Sequence, residues 1–165
     1  MKNNLVVGLL GHSNSGKSSI WYELFGEKVK TGKYERRLYL SSYEYIEVFL
    51  VGGSPEERGV YVGDIIGNQK PRIVLCSMQY YEGVSETINF FSANDYFLNI
   101  TWLNPGYIDK NEIAYRDYLG LADKVLSQES ILSIRNAKYE TSTIVREIQD
   151  YLYGWAKSRD LIKTV

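Results

Sequence analysis

Several features are scarce in this sequence, and each scarcity removes a class of protein. One cysteine among 165 residues rules out an internal disulfide framework. That residue, Cys76, lies in an apolar run, which predicts a buried core position rather than a reactive thiol. No stretch approaches the ~18 apolar residues of a membrane-spanning helix, and the apolar run that begins at Leu5 is too short for a secretory leader. We therefore expect a cytoplasmic protein without a membrane span.

A surplus of charge of either sign is also missing. The 19 lysines and arginines nearly balance the 20 aspartates and glutamates, which leaves a net charge of -1. This balance gives no general electrostatic attraction to nucleic acid or to a membrane surface. The one concentration of basic residues lies within residues 28–37, where it is either a solvated loop face or a contact for an acidic or phosphorylated partner. The length predicts a single domain over residues 1–165.

Apolar runs and helical periodicities alternate along the chain and predict its fold. The β-rich runs predict strands at residues 5–10, 72–79, 96–103 and 130–134, and an antiparallel hairpin from residues 37–42 and 43–51. Helical spacing predicts helices over residues 17–26, around residues 84–91, within residues 110–126 and over residues 144–155. Strands separated by crossover helices form mainly parallel sheets. The expected fold is α/β, with three layers: a mainly parallel sheet, helices on both of its faces and one antiparallel hairpin strand.

A glycine-rich segment between the first strand and the first helix carries the clearest chemical signal. Residues 11–18, here called the glycine loop, read Gly-His-Ser-Asn-Ser-Gly-Lys-Ser and satisfy the pattern Gly-x-x-x-x-Gly-Lys-Ser of a P-loop. In that pattern backbone N–H groups surround a phosphate, Lys17 reaches the β and γ oxygens, and the Ser18 hydroxyl binds magnesium. The residues expected to contact the nucleotide here are Gly11, Ser13, Asn14, Ser15, Gly16, Lys17, Ser18 and Ser19. The alternative interpretation is a glycine-rich turn that only caps a helix.

From the glycine loop onward, the order of elements resembles that of the small GTPases, and the Arf branch most closely. Thr31-Gly32 precedes Leu50-Val51-Gly52-Gly53-Ser54 at an interval similar to that between the switch-one threonine and the Asp-Val-Gly-Gly-Gln motif of that family. The resemblance implies a P-loop fold that binds ATP or GTP with Mg2+, and it implies that Thr31 joins Ser18 as a metal ligand. It also implies a protein effector that contacts residues 28–37 and 52–59.

The resemblance continues into the second half of the chain. Asn104 stands where the guanine-binding Asn-Lys-x-Asp motif begins, and Asn136-Ala137-Lys138 resembles the Ser-Ala-Lys motif before the last helix. Asn104, Ala137 and Lys138 are therefore implied to contact the nucleotide on its base side. Tyr107 replaces the aspartate that reads guanine, so the resemblance does not distinguish ATP from GTP.

Other departures from the family concern catalysis. Leu50 replaces the aspartate that holds magnesium through water, and Ser54 replaces the glutamine that orients the attacking water. These losses predict slow hydrolysis. Glu57 is the preferred substitute carboxylate because it follows the Gly-Gly turn, and Glu56 and Asp64 are alternatives. Lys17 and Glu57 are thus the predicted catalytic residues.

Three functions remain open from the sequence. The first is a slow NTPase or a nucleotide-dependent switch. The second is a P-loop kinase, because residues 51–55 followed by Arg58 resemble a turn of nucleoside monophosphate kinases, although residues 110–128 lack an arginine-rich lid. The third is a degenerate module that binds nucleotide or a partner without turnover. Phosphate release, transfer to an acceptor, or neither would distinguish the three.

Overall fold

Strands and helices alternate through the computed structural model, which describes residues 2–105, 117–138 and 140–165. The strands are β1 (Asn4–Gly11), β2 (Arg36–Tyr39), β3 (Glu44–Val51), β4 (Ile73–Gln79), β5 (Tyr96–Leu103), β6 (Ser130–Arg135) and β7 (Lys163–Thr164). The helices are α1 (Lys17–Phe25), α2 (Pro55–Arg58), α3 (Val62–Ile66), α4 (Val84–Ala93), α5 (Leu121–Leu126) and α6 (Ser142–Ser158). Within these residues, no helix has the length and apolar character needed to cross a membrane.

The strands form one mixed, mostly parallel sheet in the order β2-β3-β4-β1-β5-β6. β1 pairs in parallel with β4 and β5, β3 pairs in parallel with β4, and β5 pairs in parallel with β6. The β2-β3 pair is antiparallel, which confirms the predicted hairpin, and β7 adds a short antiparallel pairing to the start of β3. The protein therefore has an α/β fold, and β1 is flanked by β4 and β5.

Two apolar clusters cover the two faces of this sheet. Leu5, Val7 and Leu9 of β1 belong to the cluster that contains buried residues of α1 and α6. Val6 and Leu10 belong to the cluster that contains buried residues of α3, α4 and α5. Because successive strand residues point to opposite faces, β1 needs apolar residues on both faces, and its sequence is mainly apolar from Leu5 to Leu10 for this reason.

Most predicted elements match the observed ones within one or two residues, and the differences have local causes. The first hairpin strand ends at Tyr39 rather than residue 42, because the pairing register with β3 stops at Tyr39 and Tyr45. The short helix α2 was not among the predicted elements; it begins at Pro55, since proline suits the first helical position. Within the predicted helical region 110–126, α5 covers Leu121–Leu126, and residues 110–116 lie outside the described residues.

Candidate functional site

The glycine loop connects β1 to α1 through a tight backbone path. Gly16 has a φ of 104° and Asn14 has a φ of 62°, so both lie in the left-handed region. A Cβ on Gly16 would lie 3.2 Å from Ala137 Cβ, and a Cβ on Gly11 would lie 2.5 Å from Ser15 Oγ. The glycines of the motif are therefore required by conformation at Gly16 and by close packing at both positions.

Lys17 is the buried cation of the loop. Its Nζ atom donates hydrogen bonds to the carbonyl oxygens of Gly11 (3.0 Å) and His12 (2.9 Å) and to Ser15 Oγ (3.2 Å). The residue is only 7 % exposed. Burial lowers the pKa of Lys17, and the negative charges of Glu57 and Glu56 partly oppose this effect. All three N–H donors of the ammonium are thus used by protein acceptors, so an anion that binds Lys17 would replace at least one of them.

A cavity of about 660 Å³ opens at the start of α1. This loop cavity brings together most of the residues predicted from the motif, and it also includes the segment after β3. It is lined by Ser13, Asn14, Ser15, Gly16, Lys17, Ser18, Ser19, Gly52, Gly53, Ser54 and Glu57. Gly11 lies behind the wall, where its carbonyl oxygen accepts the Lys17 hydrogen bond. Ser18 is exposed at the start of α1, so its hydroxyl is accessible from the loop cavity.

Asn104 links the glycine loop to the segment that precedes α6. Its Nδ2 atom donates to the Ser15 carbonyl oxygen (3.1 Å), and its Oδ1 atom accepts from the Ala137 backbone N–H (2.9 Å). Both ends of the side chain are therefore occupied by protein partners, and Asn104 holds the loop in position. Asn104 and Lys138 also line a separate cavity of about 310 Å³, beside the loop. Tyr107 lies outside the described residues.

Thr31 lies beside the segment after β3 rather than on the wall of the loop cavity. Its Oγ1 atom accepts hydrogen bonds from the backbone N–H groups of Gly52 (3.0 Å) and Gly53 (3.1 Å). A hydroxyl oxygen has two lone pairs, so these bonds occupy both. Coordination of a metal ion by Thr31 would require at least one of them to break. Leu50, at the place of the missing aspartate, is fully buried in the core.

The two neighbouring glutamates of α2 have different environments. Glu57 is exposed and lines the loop cavity. Glu56 accepts hydrogen bonds from the Gln79 backbone N–H (2.7 Å) and from Thr87 Oγ1 (2.5 Å), so it joins α2 to β4 and α4. Burial raises the pKa of Glu56, although these hydrogen bonds and Lys17 oppose the shift. Of the two, Glu57 is the carboxylate that a ligand in the loop cavity could meet.

Ser54 stands where the resemblance expects a glutamine. It is 2 % exposed, and its Oγ atom is buried without a hydrogen-bond partner among the described residues. The hydroxyl is therefore turned away from solvent and does not reach into the open space of the loop cavity. A buried hydroxyl without a partner costs about 1–3 kcal/mol.

Gln79 is a site residue that the sequence reasoning missed. It is the last residue of β4, it is opposite Gly11 in the β1-β4 register, and its Nε2 atom donates to Ser13 Oγ (3.2 Å). The available signal was a glutamine at the end of an apolar strand, since ligands of parallel sheets bind at the carboxyl ends of strands. That signal does not say which strand lies next to β1.

Magnesium would depend on few protein ligands at this site. Among residues 2–105, 117–138 and 140–165, no group of three or more His, Cys, Asp or Glu side chains is arranged to hold a metal ion. The exposed Ser18 hydroxyl fits a magnesium ion that takes its other ligands from phosphate oxygens and water. No protein-family model matches the sequence, and no curated protein or solved structure matches it significantly. The α/β fold and this geometry are therefore the basis for a functional proposal.

Proposed function

We propose that this protein is a P-loop nucleotide-binding protein, which binds ATP or GTP with magnesium at the glycine loop. It acts as a slow NTPase or as a nucleotide-dependent switch. The observation that carries the proposal is the convergence of the buried Lys17 ammonium, the glycine loop and the N-terminus of α1 on one cavity. Backbone N–H groups at a helix start and a fixed ammonium are the groups that bind phosphates in proteins.

The chain's own residues have distinct tasks in this proposal. Lys17 and the backbone N–H groups of the glycine loop bind the phosphates, and Ser18 Oγ is the group that would hold magnesium, which neutralises charge on the phosphates during transfer. Asn104 keeps the loop in shape through its two hydrogen bonds. Glu57 is the carboxylate on the cavity wall that can assist turnover.

Slow turnover follows from the residues around the position of the terminal phosphate. Leu50 is buried and apolar, so it cannot order the magnesium shell, and the Ser54 hydroxyl does not face the open cavity. Catalysis of phosphoryl transfer is mostly positioning and electrostatics, and neither Leu50 nor Ser54 can supply them. The unassisted rate is expected within about 10⁻⁴ to 10⁻² per second, the range of small GTPases without an activating partner.

The first prediction tests binding by thermal unfolding. A ligand at ~100 times its Kd stabilises the folded state by about 2.7 kcal/mol, which corresponds to roughly 5–10 °C for a domain of this size. Mg-ATP or Mg-GTP should therefore raise the Tm of the wild-type protein by that amount. Lys17→Met keeps the apolar stem but removes the ammonium, so most of the shift should be lost.

Lys157→Met is the matched control, because Lys157 is exposed near the end of α6. This variant should retain the full shift. Equal shifts for the wild-type protein and Lys17→Met, or no shift for the wild-type protein with either nucleotide, would contradict the proposed function.

A further inference from the structure

The strand order places a carboxamide beside the glycine loop. β4 lies directly next to β1, and their register puts Gln79 opposite Gly11, the first residue of the loop. The next residue continues this contact, because the Tyr80 N–H donates to the Gly11 carbonyl oxygen (2.9 Å). The side chain of Gln79 then reaches Ser13 Oγ, and Ser13 lines the loop cavity. Gln79 therefore contacts the third residue of the loop, which belongs to the cavity wall.

The backbone of Gln79 is held from the opposite side. Its N–H donates to Glu56 Oε1 (2.7 Å), and the other carboxylate oxygen of Glu56 accepts from Thr87 Oγ1 (2.5 Å). The end of β4 is thus fixed to α2 and α4 as well as to β1. The backbone of Gln79 therefore stays in place when its side chain contacts a small molecule.

The Gln79 carboxamide has the chemical groups needed to hold a water molecule beside a bound phosphate. Hydrolysis of a triphosphate needs a water molecule held in line with the γ-phosphorus, and an amide can accept a hydrogen bond from that water while it donates to a phosphate oxygen. Ser54 cannot do this, since its hydroxyl is enclosed. Among the described residues, the half-buried Gln79 side chain has one hydrogen bond, to Ser13, whose own side chain is exposed.

We propose that Gln79 positions the attacking water for triphosphate hydrolysis at the glycine loop. The inference rests on the proposed function. The water oxygen forms a bond to the γ-phosphorus, the bond from that phosphorus to the β-γ bridging oxygen breaks, and the diphosphate leaves with the electron pair. The protons of the water pass to the released phosphate and to solvent, so no oxidant, reductant or further reactant is needed.

The test compares Gln79→Ala with the wild-type protein in two measurements. Nucleotide affinity is measured by titration with Mg-ATP and Mg-GTP, and hydrolysis is measured as single-turnover phosphate release at saturating protein. Loss of a water-positioning group should lower the rate about 10- to 100-fold. The Kd for the triphosphate should stay within about threefold, because Lys17 and the loop backbone carry the affinity.

Three further variants separate this role from a structural one. Gln79→Glu keeps the size but replaces the donor amide with a charge, so hydrolysis should also fall. Gln79→Asn keeps the amide but shortens the side chain by one methylene, so the rate should fall while the Kd stays within about threefold. Gln149→Ala is the matched control on the exposed face of α6 and should change neither quantity.

A readout independent of turnover uses an analogue of the transition state. Nucleoside diphosphate with aluminium fluoride mimics the phosphoryl group and its in-line water, and such analogues bind more tightly than ground-state ligands. Aluminium fluoride should tighten diphosphate binding to the wild-type protein but not to Gln79→Ala. Equal rates and equal tightening in both proteins would overturn the inference, as would a Gln79→Ala variant that loses affinity and rate together. Binding without hydrolysis in the wild-type protein would also overturn it, whereas absence of binding would contradict the proposed function itself.

Discussion

The hydrogen bonds of Glu56 lower the pKa of its carboxyl group, whereas its burial raises it. It accepts from the Gln79 N–H and Thr87 Oγ1, yet burial is the larger influence and raises its pKa in the folded protein. Between the ordinary value of 4.5 and this raised pKa, the folded protein binds more protons than the unfolded chain. The free energy of unfolding therefore decreases as the pH rises through this interval.

Glu56→Gln tests this linkage. The amide oxygen can still accept from the Gln79 N–H, and Thr87 can rotate its hydroxyl to accept from the new amide. The unfolding free energy of the variant minus that of the wild-type protein should therefore increase as the pH rises from 4 to 7. Urea unfolding at several pH values measures this difference, and exposed Glu27→Gln controls for the loss of one negative charge. A difference that shrinks as the pH rises would contradict the assignment of burial as the main influence.

The site residues differ in how far the sequence could predict them. The positions of Lys17, Ser18 and the loop glycines follow from a local motif between a strand and a helix, so their convergence needs no long-range information. The sequence could predict that Thr31 lies near the segment after β3. It could not predict the hydrogen bonds of Thr31 to two backbone N–H groups, because they depend on how the chain crosses there. Gln79 depends on strand order, which no local pattern encodes.

At the scale of elements, α6 shows that a periodic pattern of apolar residues can predict a long helix and its buried face. Its buried residues are Ile144, Val145, Ile148, Leu152, Trp155 and Ala156, and most of them were visible as one apolar face. α2 and α3 have only four and five residues, so neither is long enough to repeat the helical period of apolar residues. Short elements of this kind follow from turns and tertiary contacts rather than from their own pattern.

Gly154 provides a prediction on α6. It lies on the exposed side of the helix, and no atom of the described residues lies within 4 Å of the place where a Cβ would stand. Gly154→Ala should raise the free energy of unfolding by roughly 0.5–1 kcal/mol, because alanine loses less backbone entropy in a helix. Gly26→Ala is the matched control: the space there is equally open, but φ is 75°, so this variant should be less stable than the wild-type protein. Denaturant unfolding measures both, and two changes of the same sign would contradict this reasoning.

At the scale of the whole molecule, the polar residues of a strand indicate whether it lies at an edge of the sheet. They do not indicate the order of the interior strands. β2 and β6 have exposed positions and lie at the two ends of the strand order, whereas β1 and β4 are almost wholly buried. The interior strands are all mainly apolar, so the sequence pattern is compatible with several orders. The position of β4 between β3 and β1 decides which strand end meets the glycine loop. For this reason the α/β class could be predicted, while the contact of Gln79 with the loop could not.

The hydroxyl of Thr31 has a consequence for apparent affinity. It already occupies the N–H groups of Gly52 and Gly53, and both glycines line the loop cavity. In the proposed function, a terminal phosphate that binds these N–H groups must first displace Thr31, so the side chain acts as a competitor carried by the protein itself. The observed Kd then equals the intrinsic Kd divided by the fraction of molecules in which the two N–H groups are released.

Removal of this internal competitor should change stability and affinity in opposite directions. Thr31→Val leaves two N–H groups without an acceptor, which should destabilise the protein without ligand by about 1–3 kcal/mol. The same variant should show a larger rise in Tm with triphosphate than the wild-type protein, and an unchanged rise with diphosphate, which lacks the terminal phosphate. An equal or smaller triphosphate shift in Thr31→Val would contradict the competition. The hydrogen bonds of Thr31 would in that case stabilise the protein without weakening its affinity for triphosphate. If Thr31 competes, the free energy with which these bonds stabilise the fold is subtracted from the free energy of triphosphate binding.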